Sequence, residues 1–336
     1  MLIELKNVNK SYVDTEKQLK KSVLRRIFSS KTKKLIIDDL LFSISQGEIV
    51  GYIGENGAGK STTIKMILGI MPADSGNIKV FNQVPFTSRK KNALNTGVLF
   101  GQKSHLWWDL PLIDSFNFLQ KIYKKHTQED INWLNWLIDE LEVNEFVDQP
   151  VRELSLGQRM RAEFICSILH SPKLVVLDEP TIGLDVKTKQ KLMEIILKVN
   201  QTKGTTFLIT SHDFQEIEKV CNRIILLSEG KNAFEGTVSD YKNRYSFYRK
   251  VTIETLKNVE DSLIELKLLT ENISSKEYYF DERIISQEQV RESLEEICGG
   301  TEMLFAPLSF AEIVIITDRV DSEGALPRTK KEISHE

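Results

Sequence analysis

Apolar and polar residues along the chain divide it into two stretches of different character. Up to about residue 240, short continuous apolar runs alternate with segments whose apolar residues return every three or four positions. Residues 2–8 and 40–44 read as strands, and a turn at Gln46-Gly47 leads into the β-branched run 48–53. Residues 61–68 read as a helix, 72–76 as a turn and 96–100 as a strand ending at Gly101-Gln102. The region 112–170 predicts mostly helix. Within it Ile131, Leu134, Ile138 and Leu141 share one face, behind a start signal at Thr127 and Asp130. Strand 174–177, helix 188–199, strand 205–210, helix 214–220 and strand 223–227 follow. Apolar strands separated by helices predict an α/β fold whose parallel sheet is covered on both faces.

Beyond residue 240 the segments become shorter and more charged. Residues 251–256 and 301–306 read as strands. Residues 286–297 read as an amphipathic helix with Val290, Leu294 and Ile297 on one side. The run 313–317 is β-branched, which favours a strand, yet Ser309 followed by Glu312 has the spacing of a capping box, and helix is the preferred reading. The polar end, 323–336, reads as a frayed tail. The expected division is 1–240, with a helical part at 103–170, then 241–322, then the tail.

Composition narrows the class. A hydrophobic fraction of 41% with 28% charged residues fits a folded globular chain and excludes fibrous or disordered ones. No apolar run reaches the roughly 18–20 residues needed to span a bilayer. The first residues carry charge from Glu4 onward and do not read as a secretory leader. Cys166, Cys221 and Cys298 are too dispersed for a disulfide framework or a zinc site, which fits a reducing cytosol. The net charge of −3 conceals a basic stretch at 17–34. That stretch reads as a solvated surface loop or as a contact for anionic headgroups or a partner. Without interleaved stacking aromatics it does not make nucleic acid an expected partner.

Candidate chemistry begins after the run 48–53. Gly54-Glu55-Asn56-Gly57-Ala58-Gly59-Lys60-Ser61 fits G-x-x-x-x-G-K-[ST] between a strand and a helix. The glycines let backbone N–H groups converge on phosphate oxygens, and the helix start adds a favourable dipole. Lys60 would reach the β- and γ-phosphates, and Ser61 would ligate Mg²⁺. The pattern indicates a nucleoside triphosphate and leaves kinases, GTPases, helicases and transport ATPases open. The apolar strand 174–177 runs into Asp178 and Glu179. Held on a buried strand, Asp178 can organise Mg²⁺. Glu179, where the chain leaves the sheet, can act as general base toward water.

Leu154-Ser155-Leu156-Gly157-Gln158 lies at an expected helix start, 23 residues before Asp178 counting from Ser155. There Ser155 and the Gly157 amide could cap an anion. With this segment the chain resembles the ATP-binding subunits of ATP-binding-cassette (ABC) transporters over residues 1–240. Their signature is LSGGQ, from which this chain departs at Leu156.

The resemblance implies a P-loop NTPase fold of the ABC type: a RecA-like parallel core, an antiparallel β part, a helical subdomain and here a small C-terminal α+β domain. It implies ATP hydrolysis with Mg²⁺. Residues 54–61 and Thr62 bind ATP, and Tyr12 stacks on adenine. Gln102 contacts metal or water and senses the γ-phosphate. Ser155, Leu156, Gly157 and Gln158 face the ATP of a second cassette, Asp185 lies on the loop crossing that dimer interface, and His212 positions the attacking water. The expected partners are a second ATP-binding subunit, as a homodimer, and membrane-spanning permease subunits. The expected location is peripheral, on the cytoplasmic face of the membrane.

Long heptads, zinc cysteines and a second phosphate loop are missing from the sequence, which argues against other cassette ATPases. The alternative is a soluble cassette ATPase acting on nucleic acid or ribosomes. The adjacent Trp107 and Trp108 read either as the coupling surface for the permease or as packing inside the helical part. Together with the basic insert and the short C-terminal stretch, they resemble the drug- and polysaccharide-exporter subclass.

Overall fold

The computed structural model describes residues 1–13, 33–100, 104–211, 213–254, 266–271, 275–299 and 301–323. Gln102, His212, most of the basic stretch 17–34 and the tail from residue 324 lie outside the described residues. The chain divides into two units, Met1–Gly236 and Thr237–Glu336.

The first unit contains strands β1 Ile3–Val13, β2 Lys33–Ile44, β3 Ile49–Gly54, β4 Ser75–Val80, β5 Thr96–Phe100, β6 Leu174–Asp178, β7 Thr206–Thr210, β8 Arg223–Ser228 and β9 Lys231–Gly236. Its helices are α1 Lys60–Ile67, α2 Arg89–Leu94, α3 Leu112–Tyr123, α4 Gln128–Glu140, α5 Leu156–Ile168, α6 Val186–Lys203 and α7 Phe214–Val220. Six strands form the main sheet in the order β5-β6-β7-β3-β8-β9. Strands β5 to β8 are parallel, and β9 returns antiparallel to β8. The second sheet, β2-β1-β4, is antiparallel. The two sheets and α1 share one core, in which Val50, Tyr52, Val176, Leu208 and Ile225 meet Ile3, Leu5, Ile37, Ile64 and Ile67. Each large apolar side chain withdrawn from water contributes about 1.5–3 kcal/mol.

This matches the expected α/β architecture, with three elements the pattern did not predict, β4, α2 and β9, and with differences of extent. Strands β1 and β2 run longer than the apolar pattern suggests, because register shifts interrupt it. At one such break Asn7 and Asp39 both take positive φ, and the Asn7 amide donates to Asp39 Oδ1 at 2.8 Å. β9, Lys-Asn-Ala-Phe-Glu-Gly, is an edge strand with little apolar content to betray it. On α4, Ile131 is exposed, contrary to expectation. The buried stripe is Trp133, Leu134, Leu137 and Ile138, with Leu141 just beyond. The start signal is as expected: Thr127 and Asp130 form a reciprocal capping box.

The second unit holds α8 Val238–Arg244, β10 Tyr248–Ile253, β11 Lys267–Glu271, β12 Lys276–Asp281, α9 Gln287–Cys298, β13 Met303–Pro307 and α10 Phe310–Glu323. Its antiparallel sheet has the order β11-β12-β10-β13. Val290 and Leu294 of α9 pack on Val251, Ile253, Tyr278 and Phe280. Residues 313–317 are helical, and the Glu312 carboxylate accepts the Ser309 N–H at 2.6 Å as the capping pattern requires.

Candidate nucleotide-binding site

The parallel order places the carboxyl ends of β3, β6 and β7 side by side, the edge where open α/β sheets bind ligands. The glycine loop leaves β3 there and closes onto α1. Gly54 has φ 152°, and a Cβ on it would come within 2.2 Å of the Leu227 carbonyl oxygen. Gly59 has φ 109°, and its Cβ would strike Ile37 Cδ1 at 2.4 Å. Both positions therefore require glycine sterically as well as conformationally. Gly59 is the N-cap of α1 and supplies no side-chain cap, so the first-turn amides and the helix dipole are left for an anion. The Lys60 ammonium donates to Gly54 O at 2.5 Å and Glu55 O at 3.0 Å, which holds it over the loop.

Asp178 ends β6 opposite Thr210 of β7, whose hydroxyl donates to Asp178 Oδ1 at 2.6 Å. Glu179 turns off the sheet at φ 55°, a left-handed conformation that strains a non-glycine residue by about 1–2 kcal/mol. Its N–H donates to both the carbonyl and the hydroxyl of Thr210, each at 3.1 Å. Thr210 thus holds the Asp178 carboxylate and the Glu179 backbone, a role the sequence pattern did not reveal.

A groove of about 880 Å³, within the size range of ligand sites, opens over these elements, with Gly54, Ala58 and Thr210 behind its lining. It brings together Tyr12, Glu55, Asn56, Gly57, Gly59, Lys60, Ser61, Thr62, Asp178 and Glu179. Tyr12 is half-exposed at the rim, its hydroxyl 3.3 Å from Met71 Sδ. Ile36, Ile70 and Phe100 line the groove too and were not anticipated. Glycine cradle, ammonium, hydroxyl and carboxylate together form a donor set that fits a magnesium–triphosphate.

Ser155 caps α5. Its Oγ accepts the Gln158 N–H at 3.2 Å, and Gln158 Oε1 accepts the Ser155 N–H at 2.8 Å. Leu156 also lines the groove, and its Cδ2 sits 2.7 Å from where a Cβ on Gly183 would stand. Leucine in place of glycine is thus seated against the loop after Glu179. Asp185 caps α6: its carboxylate accepts the Thr188 N–H at 3.0 Å and hydroxyl at 2.7 Å, which hold its pKa below the usual carboxylate value.

Trp107 and Trp108 are 37% and 52% exposed. Trp107 meets Phe118 edge-on with centroids 4.5 Å apart, and the Arg159 guanidinium lies 5.6 Å from the Trp108 ring.

Residues 37–182 match the family described as ABC transporter. The linearmycin resistance ATP-binding protein LnrL of Bacillus subtilis is 32% identical over 212 residues, which cover 63% of this chain and 68% of that protein. The chain belongs to the ABC transporter ATP-binding proteins. The Nod factor export ATP-binding protein I of Sinorhizobium fredii is 31% identical over 234 residues, 70% of this chain and 62% of the relative. Among solved structures, the dimeric post-hydrolysis state of the ATP-binding cassette MJ0796 bound to ADP and Pi superposes with a TM-score of 0.57. It covers 70% of this chain and 98% of that one at 23% identity, which establishes the shared fold. This ABC protein binds and hydrolyses ATP. None of its described helices is long and apolar enough to cross a membrane.

Proposed function

We propose that this ABC ATPase is the peripheral motor of an exporter, bound at the cytoplasmic face to separate membrane-spanning permease subunits and working as a homodimer around two ATP molecules. The observation that carries the reading is the single groove joining the Lys60 loop to Asp178 and Glu179. Tyr12 stacks on the adenine. The residues from Gly54 to Thr62 cradle the phosphates, with Lys60 on the β- and γ-oxygens. Ser61, Asp178 and Gln102 are the groups that would hold Mg²⁺, which needs few protein ligands beside phosphate oxygens. When bound, that ion neutralises charge on the phosphates. Glu179 takes the proton from the attacking water, and His212 orients that water on the γ-phosphate. Phosphoryl transfer asks mainly for such positioning. Ser155, Leu156, Gly157 and Gln158 of a second copy close over the γ-phosphate, and Asp185 lies on the loop at that interface.

The likeness to the Nod factor export ATP-binding protein supports export. Exposed Trp107 and Trp108 supply the aromatic surface that a permease helix would bury. The second unit serves as a dimerisation or regulatory element.

Glu179→Gln tests the reading. ATP affinity should stay within about threefold, turnover should fall by about 10²–10⁴, and Mg·ATP should shift the variant to a dimer in size-exclusion chromatography with light scattering. Turnover near wild type overturns the general-base role, and a monomer at saturating ATP overturns the homodimer. Reconstitution with its permease in inverted vesicles, where export appears as uptake into the lumen, decides direction; movement out of the lumen overturns export.

A further inference from the structure

Away from the groove, several segments of the first unit converge on one buried carboxylate. Glu216, on α7, is 8% exposed. Its Oε2 accepts the Thr181 hydroxyl at 2.6 Å and the Ser211 hydroxyl at 3.1 Å. Its Oε1 lies 3.1 Å from the Lys189 ammonium of α6, and the same ammonium lies 3.1 Å from Asp213 Oδ2. Ser211 Oγ in turn accepts the Asp213 N–H at 2.9 Å, and Asp213 Oδ1 accepts the Gln215 N–H at 3.2 Å to cap α7. Thr181 and Ser211 are themselves buried.

A carboxylate taken out of water is costly unless it is paired and hydrogen-bonded. An apolar side chain would serve equally well if the position only filled space. What the carboxylate adds is one polar anchor shared by the loop after Glu179, the turn after β7 and α6, beyond the bonds that Thr210 makes at the strand ends. Thr181 stands two residues after Glu179. Ser211 and Asp213 stand one and three residues after Thr210, which bonds the Asp178 carboxylate and the Glu179 N–H. Lys189 rides on the helix that Asp185 caps. None of Thr181, Lys189, Ser211, Asp213 and Glu216 lines the groove, so the network stands behind its surface.

We propose that Glu216 is a positioning residue for ATP hydrolysis, holding the loop 179–185 in register with the turn after β7. The inference rests on the reading of Glu179 as general base, because a shift of that loop displaces the carboxylate from the water it activates. Loss of the register lowers the chemical step and leaves the nucleotide cradle, built from β3 and α1, untouched.

The test uses the full chain. Glu216→Gln is isosteric but loses the charge that Lys189 and both hydroxyls address; Thr181→Val removes one hydroxyl at nearly constant volume. Each should lower kcat about 10- to 100-fold, the cost of a misplacement of about 1 Å. ATP affinity by equilibrium titration should stay within twofold and the thermal midpoint within a few degrees. The double variant should lose little more than Glu216→Gln alone. A kcat near wild type in Glu216→Gln overturns the proposal. So does a loss of kcat that travels with equal losses of ATP affinity and melting temperature, which marks a purely structural residue. Glu179→Gln separates the two levels: if it turns over normally, the general-base reading fails whatever Glu216→Gln does.

Discussion

Lys60 and Glu179 owe their placement to backbone set within a few residues of each. Lys60 follows a glycine that no other residue could replace without striking Ile37. Glu179 is thrown off the sheet by one left-handed residue, its own. Such positions are legible in sequence because the turn, the charge and the helix start are neighbours along the chain. Lys60→Ala should weaken ATP binding by roughly 10- to 100-fold, the worth of a charge-assisted contact of about 1.5–3 kcal/mol. Isothermal titration checks it, and unchanged affinity removes Lys60 from the phosphate site. Thr210 and Glu216 were not legible, since each acts on residues about 30 positions away. A threonine or glutamate at such a distance carries no local mark.

Among elements, helix starts closed by a local cap left a readable mark, although α2 and α8 were not anticipated. Thr127 with Asp130, Ser155 with Gln158 and Ser286 with Gln289 each close a reciprocal capping box, a device confined to four residues. Short edge strands such as β9 read worst, because their ladder bonds depend on a partner and their side chains show little pattern. The turn carrying Trp107 and Trp108 is well built. Ser115 Oγ accepts the Trp107 N–H at 3.2 Å, Trp108 O accepts the Arg152 N–H at 2.9 Å, and Arg152 pairs with Asp109 at 2.9 Å. The bonds that shape the turn come from backbone and polar groups, while the Trp108 ring is half-exposed and the Trp107 ring lies partly exposed against Phe118. Replacing both tryptophans by alanine should leave the isolated ATPase within about twofold. Transport by the reconstituted complex should fall at least about tenfold, as loss of aromatic anchors does at an interface. If the double variant unfolds instead, those rings are core.

For the molecule as a whole, stability carries a pH signature. His170 is buried after α5, stacked on Tyr123 with ring centroids 3.9 Å apart. Burial lowers its pKa to about 4, against 6.5 for a free imidazole. Above pH 6.5 the ring is neutral in both states and costs nothing. Between 6.5 and 4 the unfolded chain binds a proton that the folded chain refuses, so stability falls as pH falls. The full difference is about 3 kcal/mol, of which about 2 kcal/mol is lost by pH 5. His170→Phe keeps an aromatic ring against Tyr123 and should be less sensitive to this change. Urea midpoints at pH 7.5 and 5 for both proteins check it, and an equal drop in the two would show that His170 is not the source.

What the sequence determined alone was the chemistry that travels along the backbone: the glycine loop and its lysine, the strand ending in Asp178 and Glu179, the capped start at Ser155, and the alternation that makes the fold α/β. Each motif, and each element of that alternation, depends on residues within about ten positions, where spacing translates directly into geometry. The tertiary structure alone decided the strand order that inserts β3 between β7 and β8, the bonding of the Asp178 carboxylate and the Glu179 N–H by Thr210, the seat of Leu156 against Gly183, and the convergence on Glu216. Those follow from which distant segments share a core. That choice is made by burial summed over the whole chain, and no single stretch of sequence records it.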